Sequence, residues 1–190
     1  MARPYTLKRR AERQAETRQR IVEAAVELHG SIGPAQTTIT MVAERAQVQR
    51  HTLYAHFPDE RSLHRACSGL ALERDPLPDP QAWHAGAKPE ARLRAGLAAI
   101  YGWYGRNAKL AGCVLRDAEH HALTRETVGL RLAPWMQAVH EILSEGLTQQ
   151  QRAMLHLALG YFTWRGLVRE AGLAEAEAVT AMVTAILGQP

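Results

Sequence analysis

Two cysteines, no long apolar run and no alternating strand pattern are the shortages of this 190-residue chain, and each removes a class of protein. Cys67 and Cys113 lie in unrelated segments, and Cys67 shares a helical face with Leu63, Ala66, Leu70 and Ala71, so core packing is its expected role. A reduced, cytoplasmic protein is expected from so little cysteine. No apolar stretch approaches the ~18–20 residues that span a bilayer. The Arg- and Lys-bearing N-terminus has no apolar segment behind it, so neither a membrane partner nor a secretory leader is expected. Catalytic motifs are missing too: there is no P-loop, no G-x-G-x-x-G and no H-E-x-x-H. Gly30-Ser31-Ile32-Gly33 lacks the spacing of a nucleophile elbow and no strand precedes it. Neither an enzyme nor a cofactor is expected.

Charge is distributed unevenly. Up to residue 65 there are 11 Lys/Arg against 7 Asp/Glu, and from residue 66 onward 12 of each. The whole formal charge of +4 therefore sits in the first third, which suits a protein that docks one end on phosphate. Arg3, Lys8, Arg9, Arg10 and Arg13 precede the first strongly periodic helix and read as a basic arm. Such an arm either tracks a nucleic-acid backbone or is simply a solvated tail.

Residues 37–63 are the most informative stretch. Ile39, Val42, Ala43 and Ala46 give one short helix an apolar face at i, i+3, i+4, i+7 spacing. About three residues later, Val48, Leu53 and Phe57 form the inward side of a second helix. Its outward side holds Gln49, Arg50, His51, Ala55 and His56, with Thr52 and Tyr54 at the margins. Hydrogen-bonding, cationic and small side chains of this kind reach base edges and phosphates in a major groove, so the pair reads as a helix-turn-helix. An ordinary solvated helix pair would share the polar outward face.

The run from Arg18 to about Leu70 resembles the N-terminal domain of TetR-type transcriptional regulators. Thr37-Thr38-Ile39, Val42-Ala43-Glu44-Arg45-Ala46, Thr52-Leu53-Tyr54 and His56-Phe57-Pro58-Asp59 fall at that family's motif positions in register. The resemblance implies DNA contacts from Thr40 in the first motif helix and from Gln49, Arg50, His51, Tyr54 and His56 around the second. It implies phosphate contacts for Tyr54 and His56 and base contacts for residues at the helix start. Three positions depart from the pattern. Gln47 stands where the turn usually has Gly, so a residue with a Cβ must take that turn's strained geometry. Gln49 replaces a common Ser and caps a helix start poorly. Glu60 replaces a frequent Lys, leaving Arg61 as the substitute phosphate partner.

Elsewhere the pattern is helical. A first helix is expected over about 11–30 with Ile21, Ala24, Ala25 and Leu28 buried, ended by Gly30 to Pro34. A fourth, capped by Asp59, runs to about Glu73, and Pro76, Pro78, Pro80 and Pro89 mark a separating loop. Further helices are expected over 90–106, 109–121, 125–145, 149–170 and 174–187, with Pro134 kinking or dividing the third of these. The last two are apolar nearly all round and must be covered on several sides. By resemblance they form a four-helix interface in a homodimer.

Tyr101, Trp103, Tyr104, Cys113, Trp135, Met136 and Phe162 gather in the middle helices. A mostly apolar cavity with a few polar groups suits a small apolar or aromatic effector. Residues on such stripes are also ordinary core, although Trp103 lies off the stripe of its own helix. The resemblance favours a pocket. Cys113, Asp117 and His121 form an i, i+4 ladder, the feature on which a metal sensor would rest. His120 and His121 project ~100° apart on a helix and do not share a face.

The expectation is an all-α protein. Residues 1–66 would be a basic arm and three-helix helix-turn-helix domain, and residues 67–190 a helical effector-binding and dimerisation domain. It would bind double-stranded DNA at a palindromic operator as a homodimer, as a repressor released by a small molecule. A helical metal-sensing regulator and a DNA-binding protein without effector are the alternatives.

Overall fold

The computed structural model describes residues 4–83 and 88–188, with side chains from Lys8 onward, so Arg3 lies outside the described residues. Among the described residues every regular element is helical. The α-helices are α1 (Pro4–Ser31), α2 (Ile39–Arg45), α3 (Arg50–His56), α4 (Glu60–Arg74), α5 (Pro89–Ala118), α6 (Ala122–Leu143), α7 (Gln149–Ala158), α8 (Tyr161–Arg165) and α9 (Glu175–Leu187). The chain forms two compact units, one of residues 1–74 and 112–128, the other of residues 75–111 and 129–190.

In the first unit the expected apolar faces meet. Ile21, Val22, Ala24 and Ala25 of α1 pack with Val42, Ala43 and Ala46, with Leu53 and Phe57, and with Leu63 and Cys67 of α4. Cys67 is thus core, as its spacing implied. The core rows of α1 and α2 repeat at three and four residues, which makes each helix amphipathic and fixes the side it buries. Asp59 caps α4, its Oδ1 accepting from the Ser62 amide at 2.6 Å. That amide bond first, and then the Ser62 hydroxyl, hold the Asp59 carboxyl below its usual range. Arg74 of α4 pairs with Glu23 of α1 at 2.7 Å. The basic segment holding Lys8, Arg9, Arg10 and Arg13 is the exposed first part of α1, rather than an arm preceding a helix.

In the second unit α5, α6, α7, α8 and α9 surround one core. Leu93, Leu97, Ile100, Tyr101 and Tyr104 of α5 are buried, as are Val139 and Leu143, Leu155, Trp164, and Val183 and Ile186. Three boundaries differ from the sequence expectation. The two helices expected over 90–121 are one 30-residue helix. It continues through Asn107 because that side chain donates to Trp103 O at 3.0 Å and Asp75 Oδ2 at 2.8 Å instead of competing for the backbone. Pro134 does not divide α6. It is exposed, as is Leu130 one turn earlier, so water can take the carbonyl that proline leaves without a donor. The helix expected over 149–170 is interrupted at Leu159-Gly160 and ends in a π-turn over Gly166–Glu170.

Candidate nucleic-acid interface

Thr38 starts α2, its hydroxyl accepting from the Met41 amide at 3.2 Å. Ala46 ends it, and the turn follows through Gln47 at φ 54°, the single non-glycine residue with positive φ among those described. The left-handed geometry expected of this position is therefore present, with a side chain that must bear it. The Gln47 amide still reaches Glu44 O at 3.0 Å and the Val48 amide reaches Ala43 O at 2.9 Å, so the turn is closed on α2. Gln49 caps α3 without any side-chain bond, as its poor capping character implies. Leu53 and Phe57 are fully buried and hold α3 in place, with the Arg18 guanidinium 4.8 Å above the Phe57 ring.

That anchoring leaves the opposite face of α3 outward. Gln49, Arg50, His51 and Tyr54 are exposed, as is Thr40 on α2, and His56 is half-buried. Among the described residues, none of the side chains of Gln49, Arg50, His51 or Tyr54 is hydrogen-bonded or ion-paired. Their donors and charge therefore remain available to an external partner. Arg61, the residue expected to substitute for a lysine at position 60, pairs with Glu126 at 2.8 Å.

Behind this surface, the last turn of α5 seats on the segment that leads into α2. The Ala35 amide donates to Asp117 Oδ2 at 2.9 Å, Arg116 Nη2 donates to Ile32 O at 3.1 Å, and the Cys113 thiol lies 3.7 Å from Gly30 O. Asp117 is almost wholly buried. Burial pushes its pKa up, but bonds from Arg116 and the Ala35 amide outweigh it and hold the carboxyl below its usual range. Gly33 sits at φ 99°, and a β-carbon there would collide with the Asp117 carboxylate. His121 Nδ1 lies 2.7 Å from Thr124 Oγ1. The ladder Cys113, Asp117, His121 is thus engaged by three different sets of partners. Among the described residues no group of three His, Cys, Asp or Glu is disposed to hold a metal ion.

The seven residues considered for an effector differ in burial and in hydrogen-bond partners. Cys113 belongs to the first unit and the other six to the second. Tyr101 and Tyr104 are core, with hydroxyls donating to Ala158 O at 2.9 Å and Leu159 O at 2.8 Å. Burial pushes both phenols up, beyond the range in which they ionise in ordinary solution. Trp103, off the apolar stripe of α5, is buried by the chain that leads into it, its indole donating to Asp75 O at 3.0 Å. Trp135 and Met136 are half-buried, Trp135 donating to Pro78 O at 2.7 Å. Phe162 is exposed, edge-on to Tyr161 and capped by the Arg165 guanidinium.

Sequence reasoning passed over His29 and His64, both buried. The signal for His29 was present: it follows Ile21 and Ala25 at four-residue steps on the buried face of α1. Thr38, Gly33 and Asp117 also have structural roles that local pattern did not single out.

Residues 21–67 match the family described as bacterial regulatory proteins, tetR family. No curated protein matches the sequence. Several solved structures share the fold. HlyIIR, a hemolysin II transcriptional regulator, is 17% identical with a TM-score of 0.68, covering 93% of this chain and 99% of its own. A TetR-like transcriptional regulator from Rhodococcus sp. RHA1 is 18% identical with a TM-score of 0.64, covering 90% of this chain and 93% of its own. The transcriptional regulator FadR from Bacillus subtilis, solved with stearoyl-CoA, is 18% identical with a TM-score of 0.62, covering 90% and 97%. No helix among the described residues is long and apolar enough to cross a membrane. Residues 21–67 thus carry a helix-turn-helix that matches the tetR-family model, and the fold of the chain as a whole is shared with solved transcriptional regulators.

Proposed function

We propose that the protein binds a palindromic operator in double-stranded DNA as a homodimer, represses transcription there, and is released by a small apolar or aromatic effector. The observation that carries the DNA part is the outward face of α3, where Gln49, Arg50, His51 and Tyr54 are exposed and uncommitted among the described residues. Thr40 and His56 complete the proposed contact set. Functionally, residues 1–66 would read DNA, and residues 67–190 would bind effector and dimerise.

Dimerisation is supported by the outer surface of the last helices. Leu157 is 55% and Phe162 40% exposed, and on α9 Thr180, Ala181, Thr184 and Ala185 present an uncharged outward face. A second copy would cover these groups and place two recognition helices on a twofold axis. For the effector, the proposed set remains Tyr101, Trp103, Tyr104, Cys113, Trp135, Met136 and Phe162. Trp135 and Met136 come first among them, because both retain free surface whereas the tyrosines are closed core. A fold neighbour solved with stearoyl-CoA supports an apolar ligand. Effector binding would shift α4, change the separation of the two recognition helices and lower affinity for operator.

Selection of random duplex DNA on the purified protein at two salt concentrations tests the DNA reading. A palindromic motif whose binding weakens as salt rises is expected. Enrichment of no motif at either salt would remove specific binding. On the selected site, Arg50→Ala should cost about 1–3 kcal/mol and relax base preference, while Tyr54→Phe should weaken binding with little change in preference. A thermal-shift survey of acyl-CoAs and aromatic compounds, followed by release from operator, tests the effector. Stabilisation by none of them would favour regulation without one.

A further inference from the structure

Three imidazoles stand in file inside the first unit. His29 of α1 and His64 of α4 have ring centroids 5.0 Å apart, and His64 and His121, in the turn between α5 and α6, 6.1 Å apart. His29 Nδ1 is 3.4 Å from Cys67 Sγ, and His121 Nδ1 bonds the buried Thr124 hydroxyl. Cys67 also donates to His64 O at 3.3 Å, which ties the thiol to α4. The surrounding charges come from every element packed here. From α5, Asp117 faces His29 but is already engaged by Arg116 and the Ala35 amide, with exposed His120 at 4.0 Å from it. From α4 and α6, Arg61 and Glu126 pair with each other, and Arg125 donates to Ala118 O and Glu119 O. Among the described residues no carboxylate is bonded to His29 or His64.

We propose that His29, His64 and His121 form a proton-gated joint that holds α1, α4 and the α5–α6 turn together only while the His29 and His64 rings are neutral, and that mild acid opens it and releases DNA. Its DNA consequence rests on the function proposed above; the opening of the joint does not. Among the described residues neither His29 nor His64 has a carboxylate bonded to it, and each charged ring would repel the next. Burial first, and then the neighbouring imidazoles, lower His29 to about 3 and His64 to about 4, with Asp117 alone acting against this at His29. In an open state, where water reaches both rings, each returns toward about 6.5. Protons therefore bind the open state more tightly. The joint's stability is complete above about pH 6.5 and falls as pH drops from there toward 4. Two rings, each weighted by one plus the ratio of proton concentration to its open-state constant, shift the closed-to-open ratio about 100-fold between pH 7.5 and 5.5.

The sign separates this joint from the DNA-facing histidines. Positive charge added on the DNA-facing surface would strengthen attraction to phosphate, whereas opening of the joint weakens binding. The stacked His140–His156 pair lies in the second unit, so amides of the first unit are the ones to follow.

Hydrogen exchange on the full chain at about pH 7.5 and 5.5, at one ionic strength and normalised for intrinsic rates, tests the joint. Protection of buried α1 and α4 amides should fall up to about 100-fold in the wild type, and much less in the double variant His29→Gln/His64→Gln. Equal protection at both pH values, or an equal fall in the variant, overturns the proposal. Should the variant not fold, NMR titration of the wild-type rings decides: His29 and His64 stay neutral at pH 5.5 in the closed form, and ring protonation near 6.5 without any loss of amide protection overturns it. Binding to the selected operator should fall at least tenfold over the same interval. Opening without that fall would refute the control of DNA binding, whereas no specific DNA binding at either pH would refute the proposed function and leave the joint standing.

Discussion

Gln47→Gly isolates the strain at the helix-turn-helix turn. An L-residue in the left-handed region costs about 1–2 kcal/mol, and Gln47 is held there at φ 54° by the amide bonds to Glu44 O and Ala43 O on either side of it. Its side chain is exposed, so no packing is lost on removal. Glycine gives back about 0.5–1 kcal/mol because the unfolded chain gains freedom. The balance is a stabilisation of about 0.5–1 kcal/mol, which for a chain of this size raises the melting temperature by about 1–4 °C. Gln47→Val, β-branched in the same geometry, should shift it the other way by at least as much. The assay is thermal and urea unfolding at one protein concentration, since dimerisation would make the midpoint concentration-dependent. A gain in urea midpoint without a change in slope would place the effect in stability alone. A Gln47→Gly protein that melts at or below the wild-type temperature would refute the claim that the turn stores strain at this residue.

Two other perturbations follow from packing. Gly33→Ala adds a β-carbon against the Asp117 carboxylate at a left-handed position and should cost about 2 kcal/mol or more in unfolding free energy; an unchanged melting temperature would mean that Asp117 is not seated there. Leu157→Glu and Phe162→Glu put charge on the exposed apolar surface of the second unit and should convert the proposed dimer to monomer in sedimentation analysis, with helix content retained; a dimer of unchanged affinity would place the interface elsewhere.

What could be read from the sequence was what local periodicity controls. The faces of α2 and α3 repeat within one or two turns, so Val42, Ala43, Leu53 and Phe57 identify themselves without knowledge of distant chain. The strain at Gln47 was legible because the turn demands a positive φ whatever surrounds it. The interruption after α7 was not. Residues 149–170 are apolar and would continue as one helix, but the carbonyls of Ala158 and Leu159 are taken by hydroxyls from Tyr101 and Tyr104 respectively, more than fifty residues earlier. The unbroken course of α5 likewise depends on Asp75 meeting Asn107. The candidate site divides the same way. The α3 face follows from its own seven residues, whereas aromatic composition suggested a cavity in which the tyrosines turn out to be closed core, their polar ends committed to backbone. A histidine on an apolar stripe gives no indication that two others stand beside it.

The compact unit that contains the helix-turn-helix is not continuous in sequence: residues 112–128 return to it after the second unit has begun. Modularity is therefore limited. A fragment ending at Arg74 would retain every residue of the recognition helix, yet lack Asp117 beneath the Ala35 amide, His121 beside His64 and Glu126 opposite Arg61. Swapping such a fragment into another chain of this fold would transplant the proposed reading surface without the struts that orient it. A graft that works should carry the two segments together, as a discontinuous cassette.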